Sequence, residues 1–360
     1  MESPDSQLTT AQSDSPLERI GYGSCGTVWA DSSRYTDIDQ CPSALVLKRG
    51  DGLPDRSLAN EALMQKHILS TLQSPSFSSM LQSGHQVNFP AQITFLQPTS
   101  SRWAGILPRL PSDFTACQAL ISERIMPLSR SSRSLIVEKF WNGPENMRDS
   151  IVDDKRNEPC LLRPYLGRRR TQAAGSGGTE RKSMLKSISL RNYPLHADQI
   201  EALGLPSGEY ASAMADALAF LLWEAEIDAC DVEFVLARPR SATDKQEYPR
   251  FGTSLFTSGA LEPHALWVLD FDCCQKLSMD TAGVQRAAER FWRNDPYYPT
   301  PDVKCQEDAL LWETFKNRFL ATSAKIMERK AEAIRKLPEQ LIARIVETVG
   351  VYSKGVPRQG

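Results

Sequence analysis

Two stretches in which acidic residues adjoin apolar segments constrain this chain most. Residues 214–236 read MADALAFLLWEAEIDACDVEFVL, and apolar residues recur at every third or fourth position as far as Leu222, which predicts a helix with one buried face. An acidic turn and a short apolar strand follow. Residues 265–272, ALWVLDFD, predict a second strand that ends at two aspartates. We expect the two stretches to converge and to gather several carboxylates at one place.

The acids of the first stretch fall into two groups. Glu224 and Glu226 have a simple alternative explanation, since a run of charge usually covers a solvated face. The later acids are harder to explain in that way, because the apolar residues 234–236 follow them at once and predict a buried strand. The candidate site residues of the two stretches are Asp228, Asp231, Glu233, Asp270 and Asp272.

A glycine-rich turn lies near the start of the chain. In LERIGYGSCGTVWA, residues 17–30, three glycines and a valine fit the pattern G-x-G-x-x-G-x-V. Glycine lets backbone amides approach an anionic group closely, although the pattern alone is a weak signal. The residues that fit it are Gly21, Gly23, Gly26 and Val28.

Two features that follow strengthen this signal. The run ALVLK, residues 44–48, predicts a strand that ends at Lys48, and ANEALMQKHILSTL, residues 59–72, predicts an amphipathic helix that contains Glu61. A glycine loop, a strand lysine and a helix glutamate in this order are typical of kinase-like small lobes. The alternative is that Lys48 and Glu61 are an unrelated pair on the surface.

Length and charge set broader bounds. With 360 residues, 41% of them hydrophobic, the chain can bury a sizeable core in one large or two smaller domains. The net charge is −2, yet residues 163–191 carry eight basic residues and a single acid. Such a segment indicates either contact with a polyanion or a flexible solvated loop.

The eight cysteines form no C-x-x-C pair and have no partnered histidine, which argues against a structural zinc site. We interpret them as reduced thiols. The start of the chain lacks a charged region followed by an apolar stretch, and no run of eighteen apolar residues occurs. The sequence therefore predicts a cytoplasmic protein with no membrane partner.

The chain divides into a leader and two parts in this reading. Residues 307–336 predict one long amphipathic helix that Pro338 breaks. The expected divisions are a disordered leader at 1–15, a β-rich N-lobe at 16–128, and a helical C-lobe at 129–360 with a mobile basic loop at 168–182, an inserted loop at 237–262 and C-terminal helices at 303–350.

Taken as a set, GYGSCGTV, LVLK, Glu61, IDACDVEFVL and VLDFD resemble the protein-kinase-like fold over roughly residues 17–300. The resemblance implies an α+β, two-lobed fold with a small β-rich N-lobe and a larger helical C-lobe. It places Asp228 at the base aspartate, Glu233 where kinases carry a metal-binding asparagine, and Asp270 at the metal aspartate of D-F-G.

The chain departs from the kinase pattern at several of these positions. Glu226 and Ile227 replace the histidine and arginine before the base, Cys230 replaces the loop lysine, and Asp272 replaces the D-F-G glycine. Asp270 and Glu233 could still hold a hard cation such as Mg²⁺. However, Glu233 and Asp272 add negative charge where a triphosphate would lie, and short-range repulsion there costs on the order of a kcal/mol or more. The site is better suited to a cationic ligand.

A closer resemblance concerns ALAFLLWEAEIDACDVEFVL, HALWVLDFDCC and FWRNDPYYP. These segments resemble a fungal family of unknown function that is labelled as zinc-finger proteins. That family includes the arginine-containing cyclodipeptide synthases of fungal secondary metabolism. These join arginine and a second amino acid into a diketopiperazine from aminoacyl-tRNA. The resemblance implies an aminoacyltransferase whose partners are arginyl-tRNA and a second aminoacyl-tRNA, with no DNA and no required cofactor or metal.

The resemblance and the acid cluster together assign roles to the candidate residues. Paired carboxylates bind a guanidinium through bidentate hydrogen bonds, and a base is needed to free the attacking amine. The predicted catalytic residues are Asp228, Glu233 and Lys48. The predicted substrate-binding residues are Asp231, Asp270, Asp272, Glu61, Gly21, Gly23 and Gly26. The predicted tRNA-binding residues are Arg168, Arg169, Arg170, Arg181 and Lys182.

Two alternatives remain at this stage. Lys48, Glu61, Asp228 and Asp270 suit a phosphotransferase, which would need Mg²⁺ and ATP. The missing loop lysine and D-F-G glycine suit an inactive kinase-like binding module. Ser24 and Cys25 are further candidates, as nucleophiles that would carry an aminoacyl group.

Overall fold

A computed structural model describes most of the chain as a mixed α+β fold. The expected α+β class is confirmed. The described residues are 15–31, 45–53, 56–74, 87–170, 188–240, 252 and 254–352. The predicted leader, apart from Ser15, and most of the predicted mobile loop lie outside them.

The first sheet contains five antiparallel strands in the order β1-β2-β3-β5-β4. Its strands are β1 (Leu17–Gly23), β2 (Gly26–Asp31), β3 (Leu45–Arg49), β4 (Gln92–Leu96) and β5 (Ala119–Glu123). The glycine-rich turn joins β1 to β2. A Cβ on Gly26 would lie 1.9 Å from the carbonyl oxygen of Arg49, so this hairpin requires glycine there. Gly21 and Gly23 face no such steric limit.

The second sheet has four strands in the order β7-β6-β8-β9. Its strands are β6 (Leu162–Tyr165), β7 (Tyr193–His196), β8 (Glu233–Ala237) and β9 (Ala265–Leu269). Strands β8 and β9 are antiparallel, and Glu233 pairs with Leu269. This register brings the start of β8, with Glu233, next to the end of β9, where Asp270 follows. The predicted convergence of the two acidic stretches is therefore confirmed.

Ten α-helices accompany the sheets in the described part of the chain. Their bounds are α1 (Leu58–Leu72), α2 (Trp103–Ile106), α3 (Arg130–Phe140), α4 (Arg148–Val152), α5 (Ala197–Ala202), α6 (Ser207–Ala219), α7 (Thr281–Arg293), α8 (Gln306–Met327), α9 (Leu337–Glu347) and α10 (Val349–Tyr352). A π-helical turn, Phe220–Glu224, extends α6. The largest core packs α6 and α8 against the second sheet, and Tyr210, Trp223, Phe234 and Phe315 are fully buried there.

The prediction of one long helix at residues 307–336 is wrong in its extent. Helix α8 ends at Met327, and Ile334 lies on a short 3₁₀ turn, Glu332–Ile334. Pro338 does not break a helix but lies in the first turn of α9. Proline is tolerated there because the first turn of a helix has no intrahelical acceptor for its N–H.

The predicted inserted loop contributes to a strand and to the core where the structure describes it. Ala237 belongs to β8, and Phe256 is buried, pairs with His264 and contacts Tyr210 edge to face. Burial of Phe256 stabilises this part of the fold, because a large aromatic side chain removes much apolar area from water. Residues 241–251 and 253 of that loop lie outside the described residues.

Helix α1 connects the two sheets. Asn60 Nδ2 donates to the carbonyl oxygens of Asp272 and Cys274 at 2.8 and 2.9 Å. In the C-terminal half of the same helix, a ring nitrogen of His67 lies 2.7 Å from the carbonyl oxygen of Ala225. These contacts fix the helix that carries Glu61 against the segments that follow β9 and α6. Among the described residues, no helix is long and apolar enough to cross a membrane.

Candidate functional site

A cleft of about 420 Å³ lies between the two sheets. This volume is in the range of small-molecule sites. Its walls come from the β1–β2 turn, β3, α1 and the segments around β8 and β9. The predicted site residues that line it are Gly21, Gly23, Gly26, Lys48, Glu61, Asp231, Glu233, Asp270 and Asp272.

Lys48 lies between two carboxylates. Its Nζ is 2.7 Å from Glu61 Oε2 and 2.9 Å from Asp270 Oδ1, and its side chain is 16% exposed. Burial alone would lower the pKa of Lys48, but the charges of Asp270 and Glu61 raise it well above its usual value. Burial raises the pKa of Glu61 to about 7, against the opposing charge of Lys48. Lys48 is therefore a fixed cation and not a proton acceptor.

Arg56 occupies the predicted guanidinium pocket from within the chain. Its Nη1 lies 3.0 Å from Asp231 Oδ2 and 3.2 Å from Asp272 Oδ2, and it also contacts Cys273 Sγ. Asp231, Asp272 and Cys273 each place one potential metal-ligand atom within 4.8 Å of those of the other two. Burial and the charge of Asp270 raise the pKa of Asp272. The two carboxylates thus form a receptor for one guanidinium, and Arg56 fills it.

Glu233 has a different cation partner. Arg163 Nη2 donates to both of its carboxylate oxygens, at 2.5 and 2.6 Å, and Arg163 Nη1 lies 3.4 Å from Asp295 Oδ2. Burial raises the pKa of Glu233 to about 8, and the charges of Asp270 and Asp295 act in the same direction against Arg163. A carboxylate with a pKa near neutrality can exchange protons with a bound ligand.

The backbone at two of the cleft acids adopts an unusual conformation. Asp231 and Asp270 have φ values of 59° and 66°. A non-glycine residue in this left-handed region carries a cost on the order of 1–3 kcal/mol, and such residues cluster at functional sites. Asn294 holds the first of them, since its Oδ1 accepts from Asp231 N and its Nδ2 donates to Ala229 O, both at 2.8 Å.

The position of Asp228 does not fit the predicted role of general base. Its side chain is fully buried, and it is not among the described residues that line the cleft. Its Oδ1 accepts from Gln275 N at 2.9 Å and from Cys230 N at 3.3 Å, while Oδ2 lies 3.6 Å from Arg290 Nε. Asp228 instead joins the turn that carries Asp231 to the segment after Asp272. We interpret it as a positioning residue.

This interpretation predicts a mild phenotype for Asp228→Asn. The amide oxygen can still accept from Gln275 N, but the attraction to Arg290 is lost, so we expect a decrease of about 1–3 kcal/mol in the free energy of unfolding. The rate of the reaction proposed in the next subsection should stay within about tenfold of wild type, whereas loss of a general base costs about 10²–10⁴-fold. Urea unfolding and turnover measured on the same preparation check this. A hundredfold loss of turnover at unchanged stability would restore the role of base.

Cys25 is not an activated nucleophile in this structure. Its side chain is buried, and Sγ donates to Glu61 Oε2 at 3.8 Å. Burial raises the pKa of Cys25 to about 12, which keeps it as a thiol at neutral pH. Ser24 lines the cleft beside it.

The predicted tRNA-binding arginines are engaged within the chain. Arg169 Nε lies 2.6 Å from Asp308 Oδ1, and its Nη1 donates to Glu201 at 2.6 Å. Arg170 Nε lies 2.8 Å from Asp198 Oδ2. Their charges are neutralised locally, which does not fit a role as free phosphate contacts. Arg168 has a described backbone, whose carbonyl accepts from Ala197 N, while Arg181 and Lys182 lie outside the described residues.

Two cations that follow α8, Arg329 and Lys330, are also engaged within the chain. Arg329 Nη2 lies 3.1 Å from Glu224 Oε2, and Lys330 Nζ lies 2.9 Å from Glu226 Oε1. Neither glutamate is among the described residues that line the cleft. Glu224 and Glu226 therefore hold the segment after α8 through ion pairs.

A family model described as "Zinc finger protein" matches residues 266–331. The match runs from β9 into the segment after α8 and includes Asp270 and Asp272. This segment contains three cysteines and no histidine, so it lacks the four ligands that a zinc finger needs. No curated protein and no solved structure matches the chain significantly.

Proposed function

We propose that this protein is an aminoacyl-tRNA-dependent cyclodipeptide synthase that joins arginine and a second amino acid into a cyclo(Arg-Xaa) diketopiperazine in fungal secondary metabolism. The observation that carries the proposal is the cleft floor, where Asp231, Glu233, Asp270 and Asp272 gather and two of them hold a guanidinium. The match at residues 266–331 agrees with the family label of the resemblance from which the reaction is proposed, and it does not bear on the reaction itself.

In the proposed fold, the two sheets belong to the two lobes of a kinase-like scaffold. Several features support this assignment: the five-stranded antiparallel sheet, helix α1 after β3, the Lys48–Glu61 pair at 2.7 Å and an aspartate directly after β9. An aminoacyl ester is already activated, so the proposed reaction uses this scaffold without phosphoryl transfer. It requires no metal and no nucleotide cofactor, and charged tRNA is available to it in the cytoplasm.

The substrate arginine would exchange with Arg56. Asp231 and Asp272 both contact the same nitrogen of Arg56, Nη1, at 3.0 and 3.2 Å. A substrate guanidinium would donate N–H groups to the same two carboxylates. Asp231 is half exposed while Asp272 is buried, so the receptor opens at one side toward the cleft. Arg56 thereby keeps the buried charge neutral until substrate arrives.

Glu233 would act as the base. Its pKa of about 8 is close to that of an α-amino group, about 7.7–8.0, so a proton moves between the two at little cost. The free amine of one aminoacyl ester attacks the carbonyl carbon of the other. A C–N bond forms, the ester C–O bond breaks, and the amine proton passes through Glu233 to the departing ribose oxygen. A second attack of the same kind closes the ring and releases the second tRNA.

Lys48 would stabilise the oxyanion. An ammonium group has three N–H donors, and two of those on Lys48 are directed at Glu61 and Asp270. The third would donate to the carbonyl oxygen of the ester, on which negative charge develops as the amine attacks. Fixed donors of this kind contribute strongly when water is excluded.

The direct test supplies purified protein with arginyl-tRNA and a set of second aminoacyl-tRNAs, and follows diketopiperazines by mass spectrometry. We expect one cyclo(Arg-Xaa) product that disappears when the tRNAs are digested with RNase beforehand. If no partner amino acid gives a product, the proposal fails.

A second candidate is a phosphotransferase that uses Mg²⁺ and ATP. The geometry that favours it is Lys48 between Glu61 and Asp270, because kinases use such an arrangement to orient phosphates and metal. Tight binding of Mg-ATP that Asp270→Asn abolishes would support this candidate. A protein that binds neither charged tRNA nor Mg-ATP would instead fit an inactive binding module.

The exchange of Arg56 makes a prediction of its own. Agmatine, which carries a guanidinium and no carboxylate, should bind Arg56→Ala at least about tenfold more tightly than wild type, because no internal guanidinium competes. Isothermal titration calorimetry measures both affinities. Arg56→Lys is the matched control, since it keeps the charge without the planar fork. Equal agmatine affinity in wild type and Arg56→Ala would show that Asp231 and Asp272 do not form the substrate receptor.

A further inference from the structure

An exposed aromatic residue with two arginines lies at the mouth of the cleft. Tyr22, on the β1–β2 hairpin, is 63% exposed. The guanidinium carbon of Arg191 lies 4.0 Å from the centroid of its ring, and that of Arg19 lies 5.8 Å away. Tyr22 and Arg191 both line the cleft, but they come from opposite walls, the first sheet and the segment before β7. We call Arg19, Tyr22 and Arg191 the rim.

The rim arginines differ from the charged groups of the cleft floor in their partners. Among the described residues, neither Arg19 nor Arg191 forms an ion pair, in contrast to Arg169 and Arg170. The floor carboxylates, by comparison, are each paired with a cation of the chain, namely Lys48, Arg56 or Arg163. A ligand that fits both zones has a cationic end that replaces Arg56 at the floor and an anionic part at the rim.

We propose that the rim binds the unpaired nucleotides at the 3′ end of a tRNA. The inference rests on the proposed function, which requires an aminoacyl group at the floor and therefore places the adjoining nucleotides at the cleft mouth. A base stacks on Tyr22 and extends its stack with Arg191, and the two arginines neutralise neighbouring phosphates. Aromatic rings with nearby cations are the usual means by which proteins hold single-stranded nucleic acid.

Single exposed aromatic residues are common and need no explanation by themselves. Tyr22 differs in its surroundings, because a guanidinium is stacked on it and the cleft opens beside it. Asn192, next to Arg191, also lines the cleft and has a φ of 51°, so the backbone that presents Arg191 is held in a left-handed conformation. In this proposal the rim makes the tRNA contacts that were predicted for Arg169 and Arg170.

The test measures binding of a short fluorescent RNA with the sequence of the unpaired tRNA 3′ end, by anisotropy, to the full-length protein. Tyr22→Ala should weaken binding about tenfold, while Tyr22→Phe should bind as wild type does, because it keeps the ring. Arg191→Ala should weaken binding and lower the salt dependence by about 0.7 in the log–log slope, as expected for one lost contact to a single strand. Arg156→Ala is the matched control, since Arg156 is highly exposed and, within the described part of the chain, its ion pair is with the neighbouring Asp154.

Each outcome decides the inference. If the RNA does not bind wild type, or binds all variants equally, the rim is not the nucleotide site, whatever the fate of the synthase assay. If Tyr22→Ala weakens binding of Mg-ATP and leaves RNA binding unchanged, the rim serves a free nucleotide and the inference is overturned. RNA binding that depends on Tyr22 and Arg191 supports it, even when no diketopiperazine forms and the proposed function alone fails.

Discussion

Glu233→Gln should lower the rate of cyclodipeptide formation by about 10²–10⁴-fold, because it removes the proposed general base. Glutamine has nearly the same shape, and its Oε1 can still accept from Arg163, which lies 2.5–2.6 Å from the carboxylate oxygens in wild type. Single-turnover formation of product from preloaded aminoacyl-tRNAs measures the effect on chemistry. Unchanged RNA binding by the variant is the control that separates loss of the base from loss of substrate.

The pKa of Glu233 also sets the expected pH dependence. The active form is the carboxylate, so the wild-type rate should rise as pH increases toward about 8 and level off above it. Stability should change in the opposite direction. The folded protein holds a proton on Glu233 that the unfolded chain releases near pH 4.5, so this group contributes stability at low pH that is lost as pH rises through about 8. Glu233→Gln should remove both dependences, and a variant that keeps the wild-type rate would refute the role of base.

Lys48→Met should be the most destabilising of the cleft substitutions. It removes the cation that lies 2.7 Å from Glu61 and 2.9 Å from Asp270, and leaves two partly buried carboxylates without it. Breaking a buried ion pair in this way costs about 3–5 kcal/mol in the free energy of unfolding. Urea unfolding at pH 7 measures the loss.

A double-mutant cycle provides the control for Lys48. Adding Glu61→Gln to Lys48→Met should restore part of the stability, because the glutamate charge that was left unpaired is removed. The loss should also be smaller at pH 5, where Glu61, with a pKa of about 7, is already protonated in the folded state. A decrease below about 1 kcal/mol at pH 7 would mean that Lys48 is solvated like a surface residue.

The order of motifs along the chain predicted much of the site. The strand before Lys48, the helix with Glu61 and the strand before Asp270 each follow from local periodicity, and the structure brings all three residues into contact. Sequence spacing did not predict the burial of Asp228. The number of residues in a turn does not give its backbone conformation, and here Ala229 and Asp231 have φ values of 49° and 59°, which change the direction of the chain. That turn directs Asp231 to the cleft and buries Asp228.

The cation partners of the acids could not be predicted from the sequence. Arg56 is 175 residues from Asp231 along the chain, and Arg163 is 70 residues from Glu233. No local pattern marks either arginine, because ion pairs of this kind depend on how the sheets and helix α1 come together. For the same reason, the basic segment predicted that Arg169 could bind tRNA, because its partner Asp308 lies 139 residues away along the chain.

The proposed transfer of arginine from tRNA in the cleft can be tested directly by tracing the source of the arginine in the product. The most direct measurement supplies isotope-labelled arginine either as arginyl-tRNA or as the free amino acid with ATP, in each case with the second aminoacyl-tRNA, and follows the label into diketopiperazine. We predict labelled cyclo(Arg-Xaa) from arginyl-tRNA with wild type, little from Glu233→Gln, and none from free arginine with ATP. Absence of label from arginyl-tRNA, or incorporation of free arginine that requires ATP, would show that the cleft does not transfer arginine from tRNA.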